Sequence, residues 1–260
     1  MISKRFSQKV FIVTGGTQGL GRGIAHYLAE HGAAGILICG RNRENGEQVS
    51  RELKNYGCEG KYIQADLSQE SDCRKVVANC DSIFGKIDGL VNAAGISNRA
   101  YLDETTVELW DLLFAVNVRA PFILTQEVVR IMKREKIEGS IVNIISISSH
   151  GGQPYLTAYC SSKGALSVFT KNVAHALRYD RIRVNGLNIG WMDTPNEDQV
   201  QKLMGKPDDW LKQAESSQPF GRLLKSLDVA KMVAFLLSDD AKMVTGSIID
   251  FDQKVIGAYD

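Results

Sequence analysis

The stretch "FIVTGGTQGLGRGIAHYLAEHG", residues 11–32, begins as an apolar run, breaks into glycines and resumes with apolar residues at helical spacing. This succession predicts a strand, a tight turn and an amphipathic helix. Gly15, Gly19 and Gly21 follow the pattern G-x-x-x-G-x-G, and the missing Cβ atoms allow backbone N–H groups and a helix N-terminus to approach a pyrophosphate. Tight turns also need glycine for steric reasons alone, so this motif requires support from the rest of the chain.

The glycine spacing differs from G-x-x-x-x-G-K-[ST] and from G-x-G-x-x-G. The difference from G-x-x-x-x-G-K-[ST] argues against a nucleoside triphosphatase. The difference from G-x-G-x-x-G narrows the possible dinucleotide-binding turns to those with another glycine spacing.

Short β-branched runs recur along the chain, and most are separated by ten or more residues of helical pattern. They cover residues 9–16, 35–40, 60–66, 88–95, 139–146, 182–190 and 245–252. This alternation predicts βαβ units and a parallel sheet, with strands buried on both faces. We therefore predict one α/β domain over residues 1–260, a doubly wound sheet of about seven strands, interrupted by a polar lid at about 194–221.

Composition excludes several classes of protein. The 260 residues carry 31 Lys plus Arg against 30 Asp plus Glu, without a block of like charge, so no nucleic-acid partner and no anionic membrane surface is expected. Unbroken apolar runs are too short to cross a bilayer, and no secretory signal is evident, which favours the cytoplasm. Five cysteines without a C-x-x-C motif indicate reduced, buried thiols and no metal site.

Three motifs together are similar to those of the short-chain dehydrogenase/reductases: "TGGTQGLG" at 14–21, "NAAG" at 92–95 and "YCSSK" at 159–163. They follow that family's order and spacing over nearly the whole chain. The resemblance implies a Rossmann-type fold and an NAD(P)-dependent oxidoreductase that interconverts a secondary alcohol and a ketone by hydride transfer.

Tyr159 and Lys163 lie four residues apart at the start of a predicted helix, so their side chains share a face. A cation ~4 Å from a phenol at an effective dielectric of ~20 favours the phenolate by about 4 kcal/mol, before burial subtracts its share. We therefore expect Lys163 to lower the pKa of Tyr159 toward neutrality, where it can exchange a proton. A solvated chance pair is the alternative for an isolated Y-x-x-x-K.

The resemblance implies two further catalytic residues. The family's serine stands thirteen residues before the tyrosine, which selects Ser146 over Ser148, although a slip in this count stays open. Asn117 resembles the helix asparagine that links the lysine to solvent through a water. A helix-interior asparagine bonded to the backbone is the alternative.

The resemblance also implies a set of cofactor-binding positions. By this resemblance Asp66 meets the amine of the adenine, and the alternative is that Asp66 caps the next helix. Thr194 corresponds to the residue that holds the nicotinamide carboxamide. Its loop departs from the family, because Ile189 stands where proline is common. The set comprises Gly15, Thr17, Gln18, Gly19, Leu20, Gly21, Arg41, Asp66, Leu67, Asn92, Ala93, Ala94, Gly95, Tyr159, Lys163, Gly190 and Thr194.

NADP is favoured over NAD by the residues that follow the second predicted strand. Gly40 stands where an acidic residue would bind a free ribose 2′-hydroxyl, and Arg41 and Arg43 follow as candidate partners of a 2′-phosphate. Gln18 stands where many NADP-preferring members have a basic residue, so NAD stays open.

Polar residues dominate the segments expected around the substrate, which predicts a sugar, polyol or sugar-derived substrate. The candidates are Ser148, His150, Gln153, Tyr155 and Trp191, with the lid adding Trp210. The alternatives are an open solvated cleft and, for the substrate, a 3-oxoacyl thioester.

Two other classes of function fit the sequence less well than an oxidoreductase. A non-catalytic dinucleotide sensor would not need the Ser, Tyr, Lys and Asn set, and a serine hydrolase would need G-x-S-x-G, which the chain lacks. Helices around 108–129 and 159–177 are apolar on more than one face. In the family that the motifs resemble, two such helices pair across a two-fold axis. The apolar faces of these helices therefore predict a homotetramer.

Overall fold

The computed structural model describes residues 4–258, and in that range seven strands form one parallel sheet. They are β1 (Val10–Thr14), β2 (Gly35–Gly40), β3 (Glu59–Gln64), β4 (Gly89–Asn92), β5 (Ser140–Ile144), β6 (Arg183–Ile189) and β7 (Ile248–Phe251). Their spatial order is β3-β2-β1-β4-β5-β6-β7. The predicted doubly wound α/β fold is confirmed. Because the strand order reverses between β1 and β4, a crevice forms at the carboxyl ends of these strands.

The helices cover both faces of the sheet. They are α1 (Gly19–Glu30), α2 (Arg43–Lys54), α3 (Glu70–Phe84), α4 (Val107–Phe114), α5 (Ala120–Arg134), α6 (Thr157–Leu177), α7 (Pro195–Leu203), α8 (Trp210–Ser216) and α9 (Ser226–Leu237). Helices α1, α2 and α9 pack on one face, and α3, α5 and α6 on the other. The predicted polar lid contains α7 and α8.

Strand β1 shows why its sequence is an unbroken apolar run. Phe11 and Val13 belong to one core cluster, whereas Val10 and Ile12 belong to the cluster on the opposite face. Successive side chains of a strand point to opposite faces, so a strand covered by helices on both sides needs apolar residues at every position.

Helices α4 and α5 are joined by a π-helical turn, Ala115–Arg119, into one helix that spans Val107–Arg134. This 28-residue helix is long and apolar enough, by length and composition alone, to cross a membrane. Counting unbroken apolar runs overlooks it, because polar residues interrupt the runs. Of its most apolar window, 56% is buried inside the domain, as in the core helix of a globular protein.

The cysteines are all free, as the sequence predicts. Cys39, Cys58, Cys73 and Cys80 are buried as predicted, but Cys160 is half-buried, so the prediction of burial is wrong for this residue. Burial raises the pKa of the Cys39 thiol to about 12, so this thiol stays protonated and behaves as a small apolar side chain.

Candidate active site

The glycine turn lies at the end of β1 and holds its shape through close backbone contacts. Gly15 has φ +65°, and a Cβ there would lie 2.9 Å from the Ala94 Cα. A Cβ on Gly21 would lie 2.4 Å from the Gly15 carbonyl oxygen. Larger residues at these two positions would push the turn away from the "NAAG" segment and from the start of α1.

The N-terminus of α1 is suited to an anion. Gln18, at the N-cap, makes no side-chain capping bond, and the first turn contains no acidic residue. The N–H groups of Gly19, Leu20 and Gly21 open the helix and have no intrahelical acceptors. An uncapped helix N-terminus beside a glycine cradle therefore fits the pyrophosphate of a dinucleotide.

A cleft of about 660 Å³ lies at the ends of β2 and β3. Arg41, Arg43 and Asp66 line it. Asp66 accepts a hydrogen bond from Ser68 N at 3.0 Å, and this bond, with the nearby Arg41, lowers the pKa of its carboxyl group. The alternative that Asp66 caps the next helix is wrong, because α3 begins at Glu70 and has Gln69 at its N-cap.

Three other predicted cofactor residues, Thr17, Leu67 and Gly190, lie in closely packed positions. A Cβ on Gly40 would lie 2.8 Å from Thr17, so the end of β2 packs directly against the glycine turn. Leu67 is buried in the core cluster below the cleft. Gly190 leaves no room for a Cβ, which would lie 2.0 Å from the Asp252 carboxylate.

The "NAAG" segment turns from β4 toward the catalytic helix. Ala93 N and Ala94 N both donate to Thr14 Oγ1 at 3.0 Å, which joins this segment to the end of β1. A Cβ on Gly95 would lie 3.5 Å from Lys163 Nζ. The segment therefore spans the distance between the glycine turn and α6.

Tyr159 and Lys163 share a face of α6 as predicted, with Lys163 Nζ 5.7 Å from the Tyr159 ring centroid. The lysine is 4% exposed, and its ammonium donates to the Ile144 carbonyl at 2.9 Å. Burial without a carboxylate partner lowers its pKa to about 8.

The pKa of Tyr159 is raised to about 12, so the prediction that it is lowered is wrong for this arrangement. Burial is the main cause, because it disfavours the phenolate. The nearby Ser146 hydroxyl lowers the pKa by less than burial raises it. The Lys163 ammonium donates to the Ile144 carbonyl of β5 and makes no direct hydrogen bond to the phenol.

Ser146 is the serine that the structure brings to the phenol. Its hydroxyl also donates to Ser148 Oγ at 3.1 Å, and Ser148 in turn donates to Gln153 Oε1 at 2.6 Å. His150 lies apart from this chain, because its Nε2 lies 2.9 Å from Asp250 Oδ1 on β7.

Asn117 lies within the π-helical turn and is fully buried. Its amide donates to the Ile96 carbonyl and to Ser162 Oγ, both at 3.0 Å, and accepts from Ile96 N at 3.0 Å. The side chain therefore fixes the segment after "NAAG" to the catalytic helix. These bonds match the alternative that Asn117 is a helix-interior asparagine bonded to the backbone.

Thr194 is the N-cap of α7, where its hydroxyl accepts from Glu197 N at 3.2 Å. Sequence reasoning did not single out Glu197, which bonds Trp191 Nε1 at 2.9 Å and pairs with Arg99 at 3.3 Å. The four residues "TPNE" have the S/T-x-x-E spacing of a capping box, which is the signal that could have drawn attention to this glutamate.

Comparisons with known proteins agree on one family of enzymes. A family model described as enoyl-(acyl carrier protein) reductase matches residues 15–253. The NADP-dependent (R)-specific alcohol dehydrogenase of Lentilactobacillus kefiri is 32% identical over 95% of this chain and 96% of its own length. The 3-oxoacyl-[acyl-carrier-protein] reductase of Thermotoga maritima is 34% identical over 95% and 98%. An actinorhodin polyketide ketoreductase solved with NADPH superposes with a TM-score of 0.88 at 28% identity, over 96% of this chain and 97% of that one.

Proposed function

The chain belongs to the short-chain dehydrogenase/reductase family, and on that premise we propose that it is an NADP-preferring reductase or dehydrogenase of a polyhydroxylated small molecule. It is an NAD(P)-dependent oxidoreductase that interconverts a secondary alcohol and a ketone. The observation that supports the oxidoreductase activity is the meeting of Tyr159, Ser146 and buried Lys163 beside the "NAAG" segment and the glycine turn. We further propose that it acts in the cytoplasm.

In this proposal, the cofactor supplies or accepts the hydride when it is bound. The Tyr159 hydroxyl exchanges the proton with the substrate oxygen, which Ser146 orients through a hydrogen bond. Lys163 stabilises the phenolate electrostatically and holds the ribose. Asn117 positions these groups by fixing the segment after "NAAG" against α6.

The cofactor lies, in this proposal, along the crevice from Asp66 to Thr194. The pyrophosphate binds the N–H groups of residues 19–21, and Asp66 meets the adenine through the carboxylate oxygen that Ser68 leaves free. Arg41 and Arg43, at the mouth of the same cleft, offer cations for a 2′-phosphate. Support for NADP comes from the alcohol dehydrogenase and the ketoreductase described above.

Arg41→Ala should weaken NADPH binding by about 10-fold to 100-fold and NADH binding by less than about threefold, because only NADPH carries the 2′-phosphate that the guanidinium binds. Nicotinamide fluorescence titration measures both dissociation constants. Arg51→Ala, in the last turn of α2, is the matched control. Equal losses for the two dinucleotides, or a wild-type preference for NADH, would contradict the assignment.

A sugar, polyol or sugar-derived substrate is favoured by the polar groups that surround Tyr159. Ser148 and Gln153 extend the hydrogen-bond chain from Ser146, while Tyr155 and Trp191 add aromatic faces. We propose residues 194–221 as the lid of this pocket. The runner-up is a 3-oxoacyl thioester, which the Thermotoga maritima relative favours.

A substrate panel tests this choice. We expect turnover of sugars and polyols with NADP, followed by the absorbance of the reduced nicotinamide. Ready turnover of acetoacetyl thioesters or hydroxysteroids, with no activity on a broad panel of sugars and polyols, would reject the proposed substrate class.

We propose that the protein is a homotetramer. Trp110 on α4, Phe122 on α5 and Val168 on α6 are 37%, 45% and 64% exposed, and together they leave an apolar area that the domain itself does not cover. A second copy of the same face would bury it around a two-fold axis.

Light scattering at micromolar concentration should give a mass of four times the 28.7 kDa chain. Phe122→Lys should shift this mass downward, because a charge would be buried in the contact. A monomer mass for the unmodified protein would contradict the assembly.

A further inference from the structure

The Glu197 carboxylate does not close the capping box that its sequence position offers. Its backbone N–H bonds Thr194, but Oε1 of its side chain accepts from Trp191 Nε1 at 2.9 Å and from Gln201 Nε2 at 2.5 Å. Arg99 Nη2 lies 3.3 Å from the same oxygen. Within residues 4–258, no side chain or backbone group donates to Oε2. One oxygen is therefore fixed, and the other is left as an acceptor.

The loop that carries Arg99 lies against Tyr155, just before the start of the catalytic helix. Arg99 lies over the Tyr155 ring, 5.6 Å from its centroid, and Ala100 N donates to the Tyr155 carbonyl at 3.0 Å. Tyr155 stands four residues before Tyr159. The Glu197 side chain is 16% exposed, and its charge raises the pKa of Tyr159, so it lies within electrostatic reach of the phenol.

The free oxygen and the bound guanidinium present different chemistry to a substrate. Arg99 pairs its charge with Glu197 through Nη2 and contacts Met204 Sδ through Nη1, so two of its five N–H donors are directed at these groups. Oε2 can accept a hydrogen bond from a hydroxyl or an amide. A substrate carboxylate offers only hydrogen-bond acceptors to Oε2 of Glu197, and the two negative charges would repel each other.

We propose that Glu197 is a specificity-determining residue that accepts a hydrogen bond from a substrate hydroxyl through Oε2 and rejects substrates with a carboxylate near the reacting carbon. This inference rests on the proposed function and narrows it, within sugar-derived compounds, to uncharged ones. Arg99, Trp191 and Gln201 are positioning residues, because each acts by holding Oε1.

The test compares C6 aldonates with the corresponding aldonamides, oxidised with NADP, because each pair differs mainly in charge. The wild-type enzyme should favour the amide in kcat/KM by about tenfold or more, and Glu197→Gln should reduce this preference to within about threefold. Asp198→Asn is the matched control. It removes the same charge from the first turn of α7 but contacts Lys202 and Trp210, so it should keep the preference.

A second readout separates specificity from damage to the lid. Besides Glu197, the titratable or charged groups around the phenol are Lys163 and Cys160 on α6, with Arg99 and Tyr155 on the adjacent loops. Removing the carboxylate charge should move the midpoint of the kcat/KM profile to lower pH, because Glu197 raises the pKa of the Tyr159 phenol. Asp198→Asn should leave this midpoint in place.

Each outcome of the comparison has a distinct meaning. Turnover of neither member of any pair, nor of other sugars and polyols, contradicts the proposed function, and this inference falls with it. Three results would overturn this inference alone. The wild-type enzyme could turn over aldonate and aldonamide equally well, it could prefer the aldonate, or Glu197→Gln could keep the wild-type preference for the amide.

Discussion

Tyr159→Phe should lower kcat/KM by about 10³-fold while NADPH binds with a dissociation constant within about threefold of the wild type. The substitution removes only the hydroxyl that meets Ser146, and it keeps the ring that packs within α6. Because burial holds the pKa of this phenol at about 12, the phenol is the proton-bearing form at neutral pH and suits ketone reduction. The loss should therefore appear in kcat and leave the cofactor site intact.

Steady-state kinetics and NADPH fluorescence titration measure these two effects separately. Tyr179→Phe is the control, because this tyrosine lies just beyond α6 and is 85% exposed. Retention of most of the wild-type rate in Tyr159→Phe would show that another group transfers the proton.

Lys163→Met should lower kcat/KM by about 10²-fold to 10³-fold and, unlike Tyr159→Phe, should also weaken NADPH binding. The ammonium is the positive charge nearest to the phenol along α6, and it lies beside Gly95 at the cofactor crevice. Its removal therefore affects both the proton transfer and the ribose contact in the proposed mechanism.

The same substitution should not destabilise the protein at pH 7. The pKa of Lys163 is about 8 in the folded state, below its unfolded value of 10.5, so the folded state binds fewer protons between these pH values. Below pH 8, the buried charge of this lysine therefore lowers the free energy of unfolding by up to about 3 kcal/mol. Stability of the wild type should thus rise with pH from about 8 to about 10.5 relative to Lys163→Met.

Thermal unfolding at several pH values checks this second effect. Lys171→Met, exposed on the same helix, should show neither the kinetic loss nor the pH-dependent difference in stability. A large fall in melting temperature for Lys163→Met at pH 7 would mean that its hydrogen bond to Ile144 outweighs the cost of burying the charge.

The features predictable from sequence are those that depend on local spacing. The turn at Gly15 and the shared face of Tyr159 and Lys163 follow from a glycine pattern and from helical periodicity, which neighbouring elements do not alter. The strand runs were equally clear, because both faces of the sheet are buried.

The features that escaped prediction depend on contacts between distant segments. The pKa of Tyr159 is raised by desolvation within the folded site, and periodicity does not measure that desolvation. Glu197 meets Arg99 across 98 positions of sequence. A capping-box spacing suggests where such a glutamate begins a helix, but it does not say which group its carboxylate will contact.

The π-helical turn at Ala115–Arg119 constrains how this chain tolerates insertions and deletions. A π turn holds one residue more than an α-helical turn would, so deleting one residue here would restore a regular helix. The faces of α4 and α5 would keep their relation, because the π turn already absorbs the extra residue within about one turn. The turn itself would change shape, and Asn117 would lose its place between Ile96 and Ser162. A one-residue gap at this point in a relative would therefore mark a change in the active site and leave the exposed faces of the two helices aligned.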